Sequence, residues 1–468
     1  MEWRSDEDFS ALINKFEKLA KNDDEQFFDV EEFEAIIDYY LDKHESLMAR
    51  SALNIAYEQH PYNNSFKWRE ARILALETRF EDALILLDEL ESLEPGNEDL
   101  LISRGEILSL MDYHAEAISV FKKVLEMNTD RSIEIFSNIA YEYESLNNYS
   151  KASIYLEKAL ELQPYSEEMV QEVSFFFEMN HKEDEAIDFF TKFLDKFPYA
   201  KHAWFQLGIF YSTQELYERA IQAYEFVIAI DEKFAAAYFN MANAYSSLKQ
   251  YRKAIKLYKD TFKFEKPEAI TYYYIGESYE NIDDLDNALI NYNNSLSVDD
   301  KLGDAWGGVA RIFVKQGSLV KAVKYYEKAI QVTPFQDDLK YELAVLLLQI
   351  NRADESIPLF TEVIKNNPNF IEAWMNYSLI FALDNDFQKA IDILTDAIEN
   401  NPDEATLWYR KAGYLYRNGK IEEAFYNIEK AFKLDTSKYV ELLDYIPELS
   451  ENHRFIEIQD LYKETNNE

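Results

Sequence analysis

Cysteine is absent from the 468-residue chain, which excludes disulfides, thiolate zinc sites, iron–sulfur clusters and thiol nucleophiles together. Glycine and proline are scarce, ten of each, against a combined average near ~12% of residues. Parallel α/β folds need glycine turns, and sandwiches need turn residues every ~8–12 positions, so this stock cannot punctuate a β protein. Long apolar runs are missing too. None is longer than Leu343–Leu348, which falls far short of the ~20 residues of a membrane span. The start, MEWRSDEDFSALINKF, carries four acids before Ala11 and no apolar core, so no signal peptide is expected. Positive charge is in deficit: 48 Lys and Arg against 88 Asp and Glu leave a formal charge of −40. That charge opposes phosphate backbones and anionic membranes, while permitting basic partners. These absences lead to the expectation of a soluble cytoplasmic protein with no nucleic-acid partner and no membrane insertion.

What remains is 47% apolar and 15% aromatic, enough for a large core and too much for disorder. A long, folded, glycine-poor chain is most simply all-helical. Length alone would suggest three domains at roughly 100–200 residues each. A repeat replaces that reading. Alanine followed after two or three residues by an aromatic or leucine recurs at Ala49, Ala83, Ala117, Ala152, Ala186, Ala220, Ala254, Ala288, Ala322, Ser356, Ala390 and Ala424. The spacing is 34 throughout, apart from one step of 35 before Ala152. With this residue at position 20, repeats 1 to 12 begin at Val30, Asn64, Glu98, Ile133, Glu167, Lys201, Ala235, Ala269, Gly303, Asp337, Ile371 and Ala405.

Other columns then fall into register. Position 8 is Gly, Ala or Ser in eleven of twelve repeats, with Ile37 the exception. Positions 11 and 24 are large and apolar, position 4 is aromatic in eight repeats, and position 32 takes seven of the ten prolines. Positions 4, 7, 8 and 11 share one face of a first helix, A, and 17, 20, 24 and 27 share one face of a second, B. Small residues at 8 and 20 let the two approach, and the rings fill the space beside them. Asp, Asn or Gly near 15–16 suits a tight turn and the N-cap of helix B, and proline at 32 stops that helix.

On these columns the sequence resembles the tetratricopeptide repeat (TPR) family, whose pattern is W-x2-L-G-x2-Y followed by Ala, an aromatic, Ala and Pro. Trp204, Leu207, Gly208, Tyr211, Tyr217, Ala220 and Tyr224 reproduce it nearly in full. The resemblance spans residues 30–438 and implies an all-α, right-handed superhelical solenoid of twelve helix-turn-helix repeats. Residues 1–29 read as an N-terminal cap through Phe9, Leu12, Ile13, Phe16 and Leu19, with a short acidic stretch at Asn22–Glu25. Residues 439–468 read as a degenerate capping helix pair and polar tail, with Pro447 between the helices. Departures are local: Lys340 at position 4 of repeat 10, and Pro358 inside its helix B, expected to remove one hydrogen bond and kink it.

No chemistry of catalysis emerges. Of the six histidines only His44 and His60 share a repeat, none forms an HExxH or an i,i+4 pair, and there is no phosphate loop. Asp283, Asp284 and Asp286 lack the glycine and closing glutamate of a calcium loop and read as turn and cap. Neither a cofactor nor a metal is expected, and the chain does not read as an enzyme. The resemblance implies instead that A helices line a concave groove, with positions 2, 5, 6, 9, 12 and 13 facing a bound protein segment. In repeats 6 to 8 these are Phe205, Gln206 and Ile209, then Phe239, Asn240 and Asn243, then Tyr273 and Tyr274. Asn at position 6, as at Asn138, Asn240 and Asn376, is where TPR domains commonly hold a peptide backbone, since an amide both donates and accepts. The alternative is that the rings pack on neighbouring helices and the amides are solvated. Gly307-Gly308 either clears room for a ligand beside Arg311, lets repeat 9 pack closely on repeat 8, or forms a hinge.

Position 5 holds no Lys in any repeat, which argues against the carboxylate clamp that binds acidic chaperone tails. Repeats 1 to 5 instead present Glu31, Glu34, Asp38, Asp99, Glu106, Glu134, Glu168, Glu172 and Glu178 on these columns, which suits a basic or mixed apolar-basic segment, the stronger alternative being a solvated acidic face. Two functions fit: a non-catalytic scaffold binding protein segments in its groove, or an acidic holdase or assembly chaperone for basic proteins.

Overall fold

A computed structural model of the chain describes residues 6–20, 26–61, 63–127 and 129–465. The acidic stretch Asn22–Glu25 lies outside them. Every regular element among the described residues is helical. Helix B begins at position 17 in all twelve repeats, from Ser46 to Ile421, and helix A at position 1 in ten, the exceptions starting at Phe66 and Ser132. The reason for the spacing is visible in burial. All twelve residues at position 20, Ser356 included, are 0% exposed, and the rings of Phe121, Tyr224, Tyr258 and Tyr292 at position 24 are at most 1% exposed.

Each A–B turn closes in the same way. The residue at position 15 has positive φ in all twelve repeats, and only Gly317 and Gly419 are glycine. The amide of position 16 then donates to the carbonyl of position 11, as in Glu45 to Tyr40 and Lys420 to Leu415, both 2.9 Å. This Schellman closure satisfies a terminal carbonyl of helix A with backbone alone. Asp283 is one of the positive-φ residues, and the Asp284 side chain accepts from the Asn287 amide at 3.2 Å, so this acidic triplet serves turn and cap.

The link from helix B to the next A has its own fastening. The indole N–H at position 4 donates to the carbonyl of position 32 in the preceding repeat: Trp204 to Pro198, Trp374 to Pro368 and Trp408 to Pro402 at 2.9 Å, and Trp306 to Asp300 at 2.8 Å. Position 4 therefore fills space and also ties the loop, as a part-buried indole requires. Lys340 meets the column differently. Its side chain is 3% exposed, and its ammonium reaches Glu362 at 2.9 Å and Asp337 at 3.3 Å. The helix from Ala353 to Asn366 runs on through Pro358.

The chain divides into two compact units, Met1–Phe210 and Tyr211–Glu468. In the first, the helix Asp6–Ala20 buries Leu12, Ile13 and Phe16 against repeat 1, with the Phe16 ring 6.4 Å from Phe28 and 5.8 Å from Tyr40. In the second, helix Tyr439–Tyr445, a 3-10 turn at Pro447–Glu451 and helix His453–Thr465 close the end. Leu442, Ile446, Leu449, Phe455 and Ile458 cover Tyr409, Phe425 and Phe432, while Val440, Ile456 and Leu461 stay exposed.

Candidate binding face

Two cavities beside the helices draw most of their lining from one set of columns. In the second unit a cavity of about 570 Å³ is lined by Tyr273, Glu277, Glu280 and Asn281 of repeat 8, Asp304, Arg311 and Lys315 of repeat 9, and Asp338, Tyr341 and Glu342 of repeat 10. Each stands at position 2, 5, 6, 9, 12 or 13. In the first unit a cavity of about 530 Å³ takes Leu41, Asp42, Arg72, Ala75, Leu76, Ser103, Glu106, Ser109, Leu110 and Asn138 from the same columns. The reason is geometric: positions 4, 8 and 11 turn into the helix pair, and 3.6-residue periodicity carries the others to the opposite side of helix A.

Within the second unit, the residues singled out by sequence divide into three settings. Phe239 and Asn240 line a smaller cavity of about 230 Å³ with Glu265, Lys266 and Ile270. Phe239 is half-buried, its ring edge-on to Tyr258 at 5.5 Å and Tyr274 at 5.8 Å. Tyr258 and Tyr274 stack at 5.8 Å, and Tyr273 stands 5.3 Å from Tyr274 and 5.8 Å from Tyr292. These rings form one continuous aromatic run across repeats 7 and 8. The amide of Asn240, half-buried at the cavity wall, makes no hydrogen bond to protein among the described residues.

The other two asparagines are already engaged. The Tyr258 hydroxyl donates to Asn243 Oδ1 at 2.5 Å, and Asn376 Nδ2 donates to the Tyr341 hydroxyl at 2.9 Å. Arg311 is engaged as well. Its guanidinium lies 3.4 Å from both Glu280 and Glu342, so one side chain of repeat 9 joins repeats 8 and 10. Glu280 is also met by Lys315 at 3.1 Å and accepts from the Tyr292 hydroxyl at 2.7 Å. Beside them Glu277 accepts from Tyr273 at 3.2 Å, and its carboxyl is pushed above the usual carboxylate range, first by burial and then by Glu280 and Asp304. Phe205, Gln206 and Ile209 belong to the first unit, each half-buried on helix Lys201–Thr213.

The glycine pair is resolved by its neighbours. A Cβ at Gly308 would fall 2.5 Å from the Tyr292 ring, and one at Gly307 2.5 Å from Leu339. Gly276 presses on the same tyrosine from its own repeat, at 2.8 Å. The room they clear is filled by packing, and close approach of repeat 9 to repeat 8 is the reading that stands. Sequence reasoning named Tyr273 and Arg311 in this cavity and missed Glu277, Glu280, Asp304 and Glu342. Glu277 and Glu280 occupy groove columns of repeat 8, which the count covered but read only for apolar and amide residues, and extending it to repeats 9 and 10 would have found Asp304 and Glu342.

In the first unit the acidic columns are partly neutralised. Asp38 meets Arg69 at 2.7 Å and Arg72 at 3.2 Å, Glu34 meets Arg69 at 3.3 Å, and Arg131 is shared by Asp99 at 2.9 Å and Glu134 at 2.7 Å. Counting acids by column overlooked these arginines. Among the described residues no helix is long and apolar enough to cross a membrane, and no group of three or more His, Cys, Asp or Glu is placed to hold a metal.

Comparison with known proteins matches the repeat. One family model described as tetratricopeptide repeat matches residues 98–131, 133–166, 201–234, 235–261 and 303–336. A second of the same description matches 341–397 and 384–433. No curated protein matches the chain. Among solved structures, the C-terminal part of a TPR repeat-containing protein from Cytophaga hutchinsonii is 20% identical, covering 52% of this chain and 98% of its own, with a TM-score of 0.42. The APC/C hetero-tetramer Cut9–Hcn1 is 12% identical over 90% of this chain and 96% of its own, TM-score 0.42. A thermophilic TPR protein from Thermus thermophilus is 20% identical over 39% of this chain and 100% of its own, TM-score 0.33.

Proposed function

Because the chain belongs to the tetratricopeptide repeat family, a family of protein-interaction scaffolds, we propose that it binds a protein segment along the A-helix face of its second unit, without catalysis. What supports this reading is Asn240: a half-buried amide at a cavity wall with no protein partner, beside the Phe239 ring. An amide in that state offers a donor and an acceptor to a passing peptide unit, and the ring offers an apolar wall. Tyr273 and Tyr274 extend the wall into repeat 8. Arg311, Asn243 and Asn376 then serve chiefly to hold that face in shape, since each already has a partner.

Capture of partners from native lysate by the wild-type chain and by Phe239→Ala/Asn240→Ala, with helicity checked by circular dichroism, tests the site. Loss of the captured set with helicity intact is expected, and unchanged capture removes this assignment. Repeating the capture at about 0.05 and 0.5 M salt separates the reading from an acidic holdase, whose binding would collapse as charges are screened.

A further inference from the structure

The A-helix face of repeats 3 to 5, in the first unit, is built differently from the one above. Arg131 meets Asp99 and Glu134 there, but among the described residues no Lys or Arg forms an ion pair with Glu106, Glu144, Glu168, Glu172 or Glu178. Set among them are large apolar side chains left open to solvent: Leu110 is 60% exposed, Tyr141 39%, Phe175 59% and Met179 61%. These four stand at positions 9 and 13, the same columns that line the 530 Å³ cavity, which itself includes Glu106 and Leu110. Phe175 and Met179 are one turn apart on helix Glu167–Met179, flanked three residues away by Glu172 and Glu178. The Tyr141 hydroxyl donates to Glu172 at 3.0 Å, which makes the faces of repeats 4 and 5 continuous.

Exposed rings and thioethers in such a row are costly to leave in water, and unpaired carboxylates beside them select what can cover them. A second copy of the chain would bring another −40 of charge to this face, and nucleic acids or anionic membranes would bring phosphate. We propose that repeats 3 to 5 bind a protein segment in which large apolar side chains are interspersed with lysines or arginines. The apolar side chains cover Phe175, Met179 and Leu110, and the cations answer Glu172, Glu178 and Glu106. Glu106 fits this role. Open to the cavity yet ringed by protein, its carboxyl stays above the usual range, first by burial and also by Glu134, although Arg72 and Arg131 pull the other way, and a cation brought closer would add to theirs. The proposal rests on the same reading of A helices as a binding face, but on a different unit and different residues.

The test uses the full chain and a fluorescein-labelled peptide of about 14 residues repeating Phe-Lys-Leu-Arg, read by anisotropy. Two control peptides replace the apolar residues by Ser or the basic ones by Glu. Wild type is expected to bind the parent peptide at least ~10-fold more tightly than either control. Phe175→Ser/Met179→Ser should weaken it by at least ~10-fold, and Glu172→Gln/Glu178→Gln by about 5-fold with a flatter salt dependence. Phe239→Ala/Asn240→Ala should bind it as wild type does. Because the replaced side chains are exposed or half-buried, the variants should keep the wild-type circular dichroism. No binding, equal binding of the Ser control, or unchanged affinity in Phe175→Ser/Met179→Ser overturns the proposal. Loss only in Phe239→Ala/Asn240→Ala overturns it while keeping the reading of the second unit. Self-association by sedimentation velocity that Phe175→Ser/Met179→Ser abolishes would assign the face to a second copy instead.

Discussion

Position 15 shows how much a single backbone angle can ask of a residue. Left-handed backbone costs an L-residue with a side chain roughly 1–2 kcal/mol, yet ten of the twelve residues there are not glycine. The β-branched Thr78, at φ 60°, is the least suited. Thr78→Gly should therefore stabilise the chain by about 1 kcal/mol, seen as a raised urea midpoint and slower amide exchange in repeat 2. Glu277 yields a prediction with a pH sign. Its raised carboxyl pKa means the folded state holds the proton more readily than the unfolded one, so its contribution to stability declines as pH rises through that range. Glu277→Gln should be more stable than wild type at pH 8, with the gap closing as pH falls toward 4; a pH-independent gap in urea midpoints would refute this. Residues are also where the sequence was hardest to read. Column position says which way Asn243 and Asn376 point, but not that Tyr258 and Tyr341 reach them. Those hydroxyls arrive from another helix or repeat, at distances set by packing.

At the level of helices the sequence was far more legible, because each column answers one steric need. A 34-residue spacing of small residues fixed where helix B begins in every repeat. The partner of each small residue was less accessible. The Tyr292 ring lies between Gly276 of its own repeat and Gly308 of the next, and donates to Glu280 from that slot. Gly308→Ala would push a methyl group into the ring and is expected to cost about 1–3 kcal/mol, with exchange protection lost in repeats 8 and 9 together. Gly317→Ala makes the comparison: no atom lies within 4 Å of the added methyl, so only the backbone penalty, about 1 kcal/mol, should appear. Equal losses in the two variants would mean that the tyrosine slot is slack. Repeats 8 and 9 are coupled by this one side chain more tightly than a bare count of apolar columns suggests.

Over the whole molecule the −40 charge matters more than any single pair. Many ion pairs here are single contacts at half-exposed sites, each worth little, while the like-charge repulsion is summed over the chain. Screening should therefore stabilise it: the urea midpoint is expected to rise between about 0.02 and 0.5 M NaCl, and a fall would mean that the cross-repeat pairs of Asp38 and Arg311 outweigh the repulsion. The same charge, read from composition alone, hinted at a basic partner; its arrangement divides the task, with arginines meeting Glu34, Asp38, Asp99 and Glu134, and with Glu144, Glu168, Glu172 and Glu178 left without an ion pair among the described residues. One further consequence lies in the turns. All twelve positions at 15 are exposed, recur at near-constant spacing in sequence, and are closed by backbone hydrogen bonds that do not involve the side chain. In a chain with no cysteine, a pair of thiols introduced at any two of these tips would be the only thiols present. Spin labels or fluorophores attached there would turn the repeat array into a graduated ruler, reading the distance from one turn to the next as a partner is taken up.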